Sequence, residues 1–109
     1  MQNYFKNELI IVRYPFSDLT ASKVRPAIVV SAAHSSHDLL IVPLTSKTSK
    51  LVSGEFVLSD WKAAGLNIET VVKRGIYTIH ESLVMRQIGT LQPFDSAELE
   101  KSLRNWLGI

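Results

Sequence analysis

The sequence has no cysteine, which excludes disulfides and thiolate-held metals. It has no apolar run near the ~20 residues that a membrane-spanning helix needs. It opens on "MQNYFKNELIIVRY", a short apolar stretch with no small-residue cleavage site behind it. No signal peptide is expected, and a cytoplasmic protein is. Excess charge is scarce as well. The formal net charge is +2 and the pI is near 9.0, mild for a chain that grips nucleic acid over its whole surface. G-x-S-x-G, the P-loop and H-E-x-x-H are all missing. Acyl-hydrolase, nucleotide-phosphate and zinc-protease readings therefore have no motif behind them. Repeats, low-complexity tracts and linkers are missing too. At 109 residues and 46% apolar, the chain suits one domain, residues 1–109.

What is present is a succession of short β-prone runs. "ELIIVRY" (8–14) ends at Pro15, and a polar loop "PFSDLTASK" (15–23) follows. "VRPAIVVSA" (24–32) and "LLIVPLT" (39–45) flank the turn "HSSHD" (34–38) and predict an antiparallel hairpin. A basic loop "SKTSKLVS" (46–53) leads into "GEFVLS" (54–59), which alternates as a strand does. "DWKAAG" (60–65) reads as one helical turn stopped by Gly65. "IETVVK" (68–73), a short piece in "RGIYTIHE", and "LVMRQIGTL" (83–91) complete the strands.

The C-terminus predicts a helix. Asp95 and Glu98 have capping-box spacing, and Phe94 with Leu99 suits a hydrophobic staple. Leu99, Leu103, Trp106 and Leu107 form one apolar face, and Gly108 is the stop. The fold class expected is mainly β with helical additions: a small twisted antiparallel sheet or barrel with a C-terminal α-helix.

The unusual feature is an arginine before a proline at the start of the second strand. Pro26 holds Arg25 extended and removes a backbone donor, so this strand end is expected at an edge or outside the ladder. By period two Arg25 shares a face with Ala27 and Val29, small residues expected to leave space above the sheet. A guanidinium there presents a planar fork suited to phosphate. An ion pair with Asp18 is the plainer reading.

Pro43 marks a second edge or bulge, and Thr45 follows with Ser46, Lys47, Thr48, Ser49 and Lys50. Counted from the turn centre near residue 35, Arg25 and Thr45 lie equally far back and forward, which makes them cross-hairpin neighbours. From Arg13 to Lys50 there are five cations against two anions, a local basic face or a solvated surface. His34 and His37 read as an exposed turn rather than a metal site, and no metal or cofactor is expected. His80 reads as a cap on the following turn. Trp61 and Trp106 suit core or interface positions.

"ELIIVRYPFSD…SKVRPAIVVS", "LIVPLTS" and "GLNIETVVKRGIYTIHESLVMRQIGTL" together resemble the PemK/MazF family, the ribonuclease toxins of type II toxin–antitoxin modules. The likeness spans roughly residues 6–91. It implies an SH3-like barrel acting as a homodimer. It implies metal-independent cleavage of single-stranded RNA, leaving a 2′,3′-cyclic phosphate and a 5′-hydroxyl. It also implies a cognate antitoxin that folds onto the toxin, with DNA met only through that antitoxin. Arg25 matches the family's catalytic arginine and Thr45 its catalytic threonine.

On this reading Lys23, Lys47, Lys50 and Lys73 track the RNA backbone and Ser46 reads base edges. Phe16 stacks a base or anchors its loop. A dimer would place two first loops around one groove and double the basic patch. There are departures. Asn7-Glu8 replaces the usual Gly-Asp, the first loop lacks a histidine found in some members, and His80 replaces the acid of T-I-D. The segment before it, "VVKRGIY", is one residue short of the common pattern. Two other readings stay open: a gyrase-poisoning relative acting through a C-terminal helix such as "NWLGI", and a catalytically silent RNA-binding or regulatory domain.

Overall fold

β-Branched and aliphatic residues dominate the first three strands: β1 (Glu8–Tyr14), β2 (Lys23–Val29) and β3 (Asp38–Thr45). The computed structural model describes residues 4–14 and 23–109, with Tyr14 and Lys23 described in backbone only. Phe16 and Asp18 lie outside the described residues. Three short strands follow, β4 (Phe56–Val57), β5 (Val71–Val72) and β6 (Tyr77–His80), and, after a 3₁₀ turn at Glu81–Leu83, β7 (Val84–Thr90), as long as β1. Among the described residues there is one α-helix, α1 (Pro93–Leu107). Among the described residues no helix is long and apolar enough to cross a membrane.

The strands pair antiparallel in the order β4-β5-β3-β2-β1-β7, with β6 also on β3. Among the described residues no pairing joins β4 to β7, so the sheet is not closed into a barrel. β1 meets β7 with register shifts at Leu9/Ile10 and Ile11/Val12, bulges that bend the sheet. "DWKAAG" does form a helical turn, with the Ala64 amide donating to the Asp60 carbonyl at 3.0 Å. Gly65 then turns with φ 104° against Gly89 of β7. A Cβ on Gly89 would sit 1.8 Å from the Ala64 carbonyl oxygen, so backbone meets backbone there.

Both faces of the sheet are covered. On one side Leu9, Ile28, Val42, Leu44, Leu58 and Val72 pack with Leu91 and Leu99, and Trp61, Leu103 and Trp106 close over them. On the other, Ile10, Val12, Ala27, Val29, Leu39, Ile41 and Ile79 form a second core. Two-sided burial explains why β1 to β3 read as nearly continuous apolar runs. It also corrects one expectation. Ala27 and Val29 are fully buried in that second core, and no space stands above them.

The helix begins earlier than its capping-box spacing implies. Gln92 is the N-cap and makes no side-chain cap bond, while Pro93 takes a first-turn position for which its fixed φ is suited. Asp95 is therefore inside the first turn. Its carboxylate is fully buried and accepts from the Ser59 and Asp60 amides, each at 2.9 Å. The staple does not form, since Phe94 is 60% exposed. Leu107 is exposed as well, so the buried face ends at Trp106. Gly108 stops the helix in the left-handed conformation, as expected.

Replacing Asp95 by alanine strands two amide donors in a partly buried place, and a charge-assisted pair of this kind is worth about 3 kcal/mol. Urea unfolding of Asp95→Ala should show a loss of that order, and Asp95→Asn, which keeps one acceptor oxygen, a smaller one.

Candidate functional site

The two prolines decide where the sheet opens. β2 and β3 pair through Val29↔Ile41, Ile28↔Val42 and Ala27↔Pro43, a register centred on residue 35, and the ladder stops there. The next even-numbered position of β2 is Pro26. The Val30 amide donates to the Leu40 carbonyl, so even-numbered residues of β2 face β3, and Pro26 has no N–H to offer in its turn. β2 does not stray, because Pro26, Arg25, Val24 and Lys23 remain paired with Ile11 to Tyr14 of β1. β3 is held on its other side, by Leu44↔Val72 and Thr45↔Val71. Two strands thus part company while each stays fixed to its outer neighbour.

Pro43 is not at an edge. It stands in a central strand where the partner of β3 changes from β6, which ends at Ile41↔Tyr77, to β5, which begins at Leu44↔Val72. Its carbonyl accepts from the Lys73 amide at 3.0 Å, so its missing donor faces the same junction. The cost of a proline in a central strand is avoided by placing it between two partners.

A cavity of about 720 Å³ lies at the parting. Val24, Arg25 and Pro26 line it from β2, and Pro43, Leu44 and Thr45 from β3. Ser46 and Lys47 continue the rim, and Leu66, Ile68, Thr70, Lys73 and Tyr77 complete it. Among the described residues three cations and no carboxylate line the cavity, so a chain with little net charge gathers positive charge in one concavity.

Arg25 is exposed, and its Nη1 donates to the Val24 carbonyl at 3.2 Å. Among the described residues it enters no ion pair. The Lys47 amide donates to Thr45 Oγ1 at 3.2 Å. That bond occupies one lone pair of the hydroxyl and leaves its hydrogen to be donated elsewhere. The arrangement places a guanidinium and a hydroxyl on one cavity that is open to solvent.

Of the other residues singled out in the sequence, Ser46, Lys47 and Lys73 line the cavity. Lys50 is exposed in the following loop, with φ 59°, and does not line it. The Lys23 side chain and Phe16 lie outside the described residues. No histidine reaches the cavity. His34 bonds within its own turn to Ser36, at 2.7 Å between Nδ1 and Oγ. His37 lies 3.4 Å from Glu81. His80 caps the 3₁₀ turn by accepting from the Ser82 amide at 3.2 Å.

Sequence reasoning missed Tyr77, Ile68, Leu66 and Thr70 as lining residues. An exposed isoleucine in the polar stretch "GLNIET" is the one local signal; register alone carries Tyr77 to the site.

One carboxylate supports the site from behind. Glu55 accepts from the Arg74 amide at 2.8 Å and the Val52 amide at 2.9 Å, tying the loop before β4 to the segment that carries Lys73. Burial pushes the Glu55 carboxyl up, but these two amide bonds and the charges of Lys73 and Arg74 outweigh it, and the group sits below its ordinary value.

A sequence model of the family described as PemK-like, MazF-like toxin of type II toxin-antitoxin system matches residues 6–107. No curated protein matches the chain. Among solved structures, an endoribonuclease in complex with its cognate antitoxin from Mycobacterial species is similar at TM-score 0.78 and 16% identity, covering 97% of this chain and 96% of that one. MazF from Deinococcus radiodurans (Form-I) is similar at TM-score 0.75 and 22% identity, covering 97% of each chain. The Mycobacterium tuberculosis toxin MazF-mt6 is similar at TM-score 0.74 and 21% identity, covering 94% of this chain and 97% of that one. At such identities the structural likeness speaks for the fold.

Because the folded-state pKa of Glu55 is depressed, its stabilising effect is complete above the ordinary carboxylate value of 4.5 and is lost as pH falls through the lower folded value. Glu55→Gln should flatten the acid limb of a stability-versus-pH curve below that point and leave its shape above pH 6 unaltered.

Proposed function

The chain belongs to the PemK-like, MazF-like toxins of type II toxin–antitoxin systems, and from that premise we propose that it is an endoribonuclease cutting single-stranded RNA. The observation that carries the reading is Arg25 and Thr45 lining one open cavity whose charged lining residues, among those described, are cations. A polyanion is attracted to such a place, and an extended single strand threads where a duplex does not.

The reaction is an internal transesterification. The 2′-oxygen attacks phosphorus, the bond to the 5′-oxygen breaks, and that oxygen leaves with a proton. The products are a 2′,3′-cyclic phosphate and a 5′-hydroxyl, and no metal takes part. Charge builds on the non-bridging oxygens as phosphorus becomes five-coordinate. Arg25 stabilises that charge with donors already in place. Thr45 donates its hydroxyl hydrogen to a phosphate oxygen or aligns the 2′-hydroxyl. Arginine stays protonated near neutrality, so neither side chain is the base. Lys47 and Lys73 hold the backbone phosphates on either side, with Lys23 and Lys50 further along it. Ser46 reads a base edge and Phe16 stacks on a base.

The toxin works as a homodimer, and a cognate antitoxin neutralises it by covering the cavity; DNA is reached only through that antitoxin. The gyrase-poison reading has less support. Trp106, the aromatic it would need at the surface, donates from Nε1 to the Ser53 carbonyl at 2.9 Å and packs onto Gly54.

Long single-stranded RNA incubated with the protein in excess chelator should give discrete cuts ending in cyclic phosphate. Arg25→Ala and Thr45→Ala should each lower the cleavage rate by ~10²-fold or more. Arg25→Lys should restore little, since an ammonium lacks the planar fork. RNA that is bound and never cut would reduce the protein to a binding domain. Intact RNA together with inhibited DNA supercoiling would replace the proposal by the gyrase reading.

A further inference from the structure

The cationic half of the cavity accounts for a phosphate, but half of the lining is of another kind. Leu66, Ile68 and Tyr77 also line the cavity, and the transesterification does not use them. Ile68 is 59% exposed and Tyr77 40%, so both present apolar surface to whatever enters the cavity.

Neither is loosely held. Ile68 sits in a loop that Thr70 fastens twice. The Thr70 hydroxyl donates to the Ile68 carbonyl at 2.7 Å, and the Thr70 carbonyl accepts from the Leu58 amide at 2.9 Å. Thr70 itself is buried. Tyr77 stands at the start of β6, opposite Ile41, and its ring lies against Gly75. A Cβ at position 75 would come within 2.9 Å of ring atom Cε2, so the glycine makes room for the ring where it is. These residues are preorganised and share one cavity with Arg25, Lys47 and Lys73.

An occupant must therefore carry an anionic group and a flat apolar body side by side. A nucleotide of an unstacked strand does. The cavity volume falls within the roughly 300–1,000 Å³ of sites that enclose small ligands, which is room for one nucleotide with its linkage. We infer that Tyr77 and Ile68 form a base-stacking subsite, which seats the nucleobase beside the scissile phosphate while Arg25 meets the phosphate itself. The subsite rests on the nuclease reading and deepens it. Tyr77 is a specificity-determining residue whose contact is to the base, so its loss falls more on KM and on the choice of cut site than on kcat.

The test uses the whole chain and oligonucleotides built around a mapped cut. One oligonucleotide carries a 2′-deoxy sugar at the cut, which blocks attack. A second, otherwise identical, lacks the flanking base. Binding is read by fluorescence anisotropy for the wild type, Tyr77→Ala, Tyr77→Phe and Ile68→Ala, each checked for an unaltered melting transition. Stacking on an aromatic side chain typically changes affinity by roughly tenfold or more. The wild type and Tyr77→Phe should lose about that factor on removal of the base, whereas Tyr77→Ala should bind both oligonucleotides alike. Ile68→Ala should show an intermediate loss.

Equal penalties for the missing base in wild type and Tyr77→Ala, with the wild type still cutting RNA, overturn the subsite and leave the nuclease standing. So does a Tyr77→Phe protein that behaves as Tyr77→Ala, because the hydroxyl and not the ring would then be at work. A wild type that neither binds nor cuts RNA removes the nuclease reading and the subsite together.

Discussion

The site depends on a ladder that ends early. Two strands of a hairpin pair regularly from their turn to Ala27↔Pro43 and then separate, because Pro26 has no donor for the next rung. Separation alone would yield a frayed hairpin. Here β1 holds β2 through Arg25↔Val12 and beyond, and β5 holds β3 through Thr45↔Val71, so the fray becomes a rigid cleft. Each wall is hydrogen-bonded to the rest of the sheet, which fixes the backbone from which Arg25 and Thr45 project.

The second constraint is electrostatic. Among the described residues no carboxylate lines the cavity, and several are employed elsewhere. Asp95 holds the loop before the helix, Glu55 holds the segment behind Lys73, and Glu81 faces His37 at the opposite end of the hairpin. With these acids placed away from the cavity, a net charge of +2 is enough to leave a concavity lined by three cations. The histidines are likewise committed to turns, and the chemistry assigned to Arg25 and Thr45 is accordingly electrostatic and positional.

Packing against the helix serves the same end. The sheet is not closed, and its two apolar faces are covered by different means: α1 with Trp106 and its leucines, together with Trp61, on one side, and side chains of the strands themselves on the other. The backbone contact of Gly89 with the turn at Ala64–Gly65 carries the chain back toward Leu66 and Ile68. The apolar part of the cavity lining thus follows from how the sheet edge is covered, and not from any pattern in its own residues.

Much of the local structure was legible in the residues. The apolar runs located β1, β2, β3 and β7, the turn centred near residue 35 set the β2–β3 register, and that register put Arg25 and Thr45 at one end of the hairpin. The helix was legible in its apolar spacing and its stop, although Pro93 outweighed Asp95 as its start. Local propensity and period are properties of neighbours along the chain, and the sequence determines those by itself.

The space beside Arg25 was misread, since Ala27 and Val29 are small yet covered, and the cavity arises from strand divergence. Tyr77 and Ile68 gave almost no local sign of joining Arg25, more than forty residues away along the chain. Only the tertiary structure decided that meeting. It required β3 to exchange β6 for β5 at Pro43, and such an exchange depends on which distant strands find a free edge.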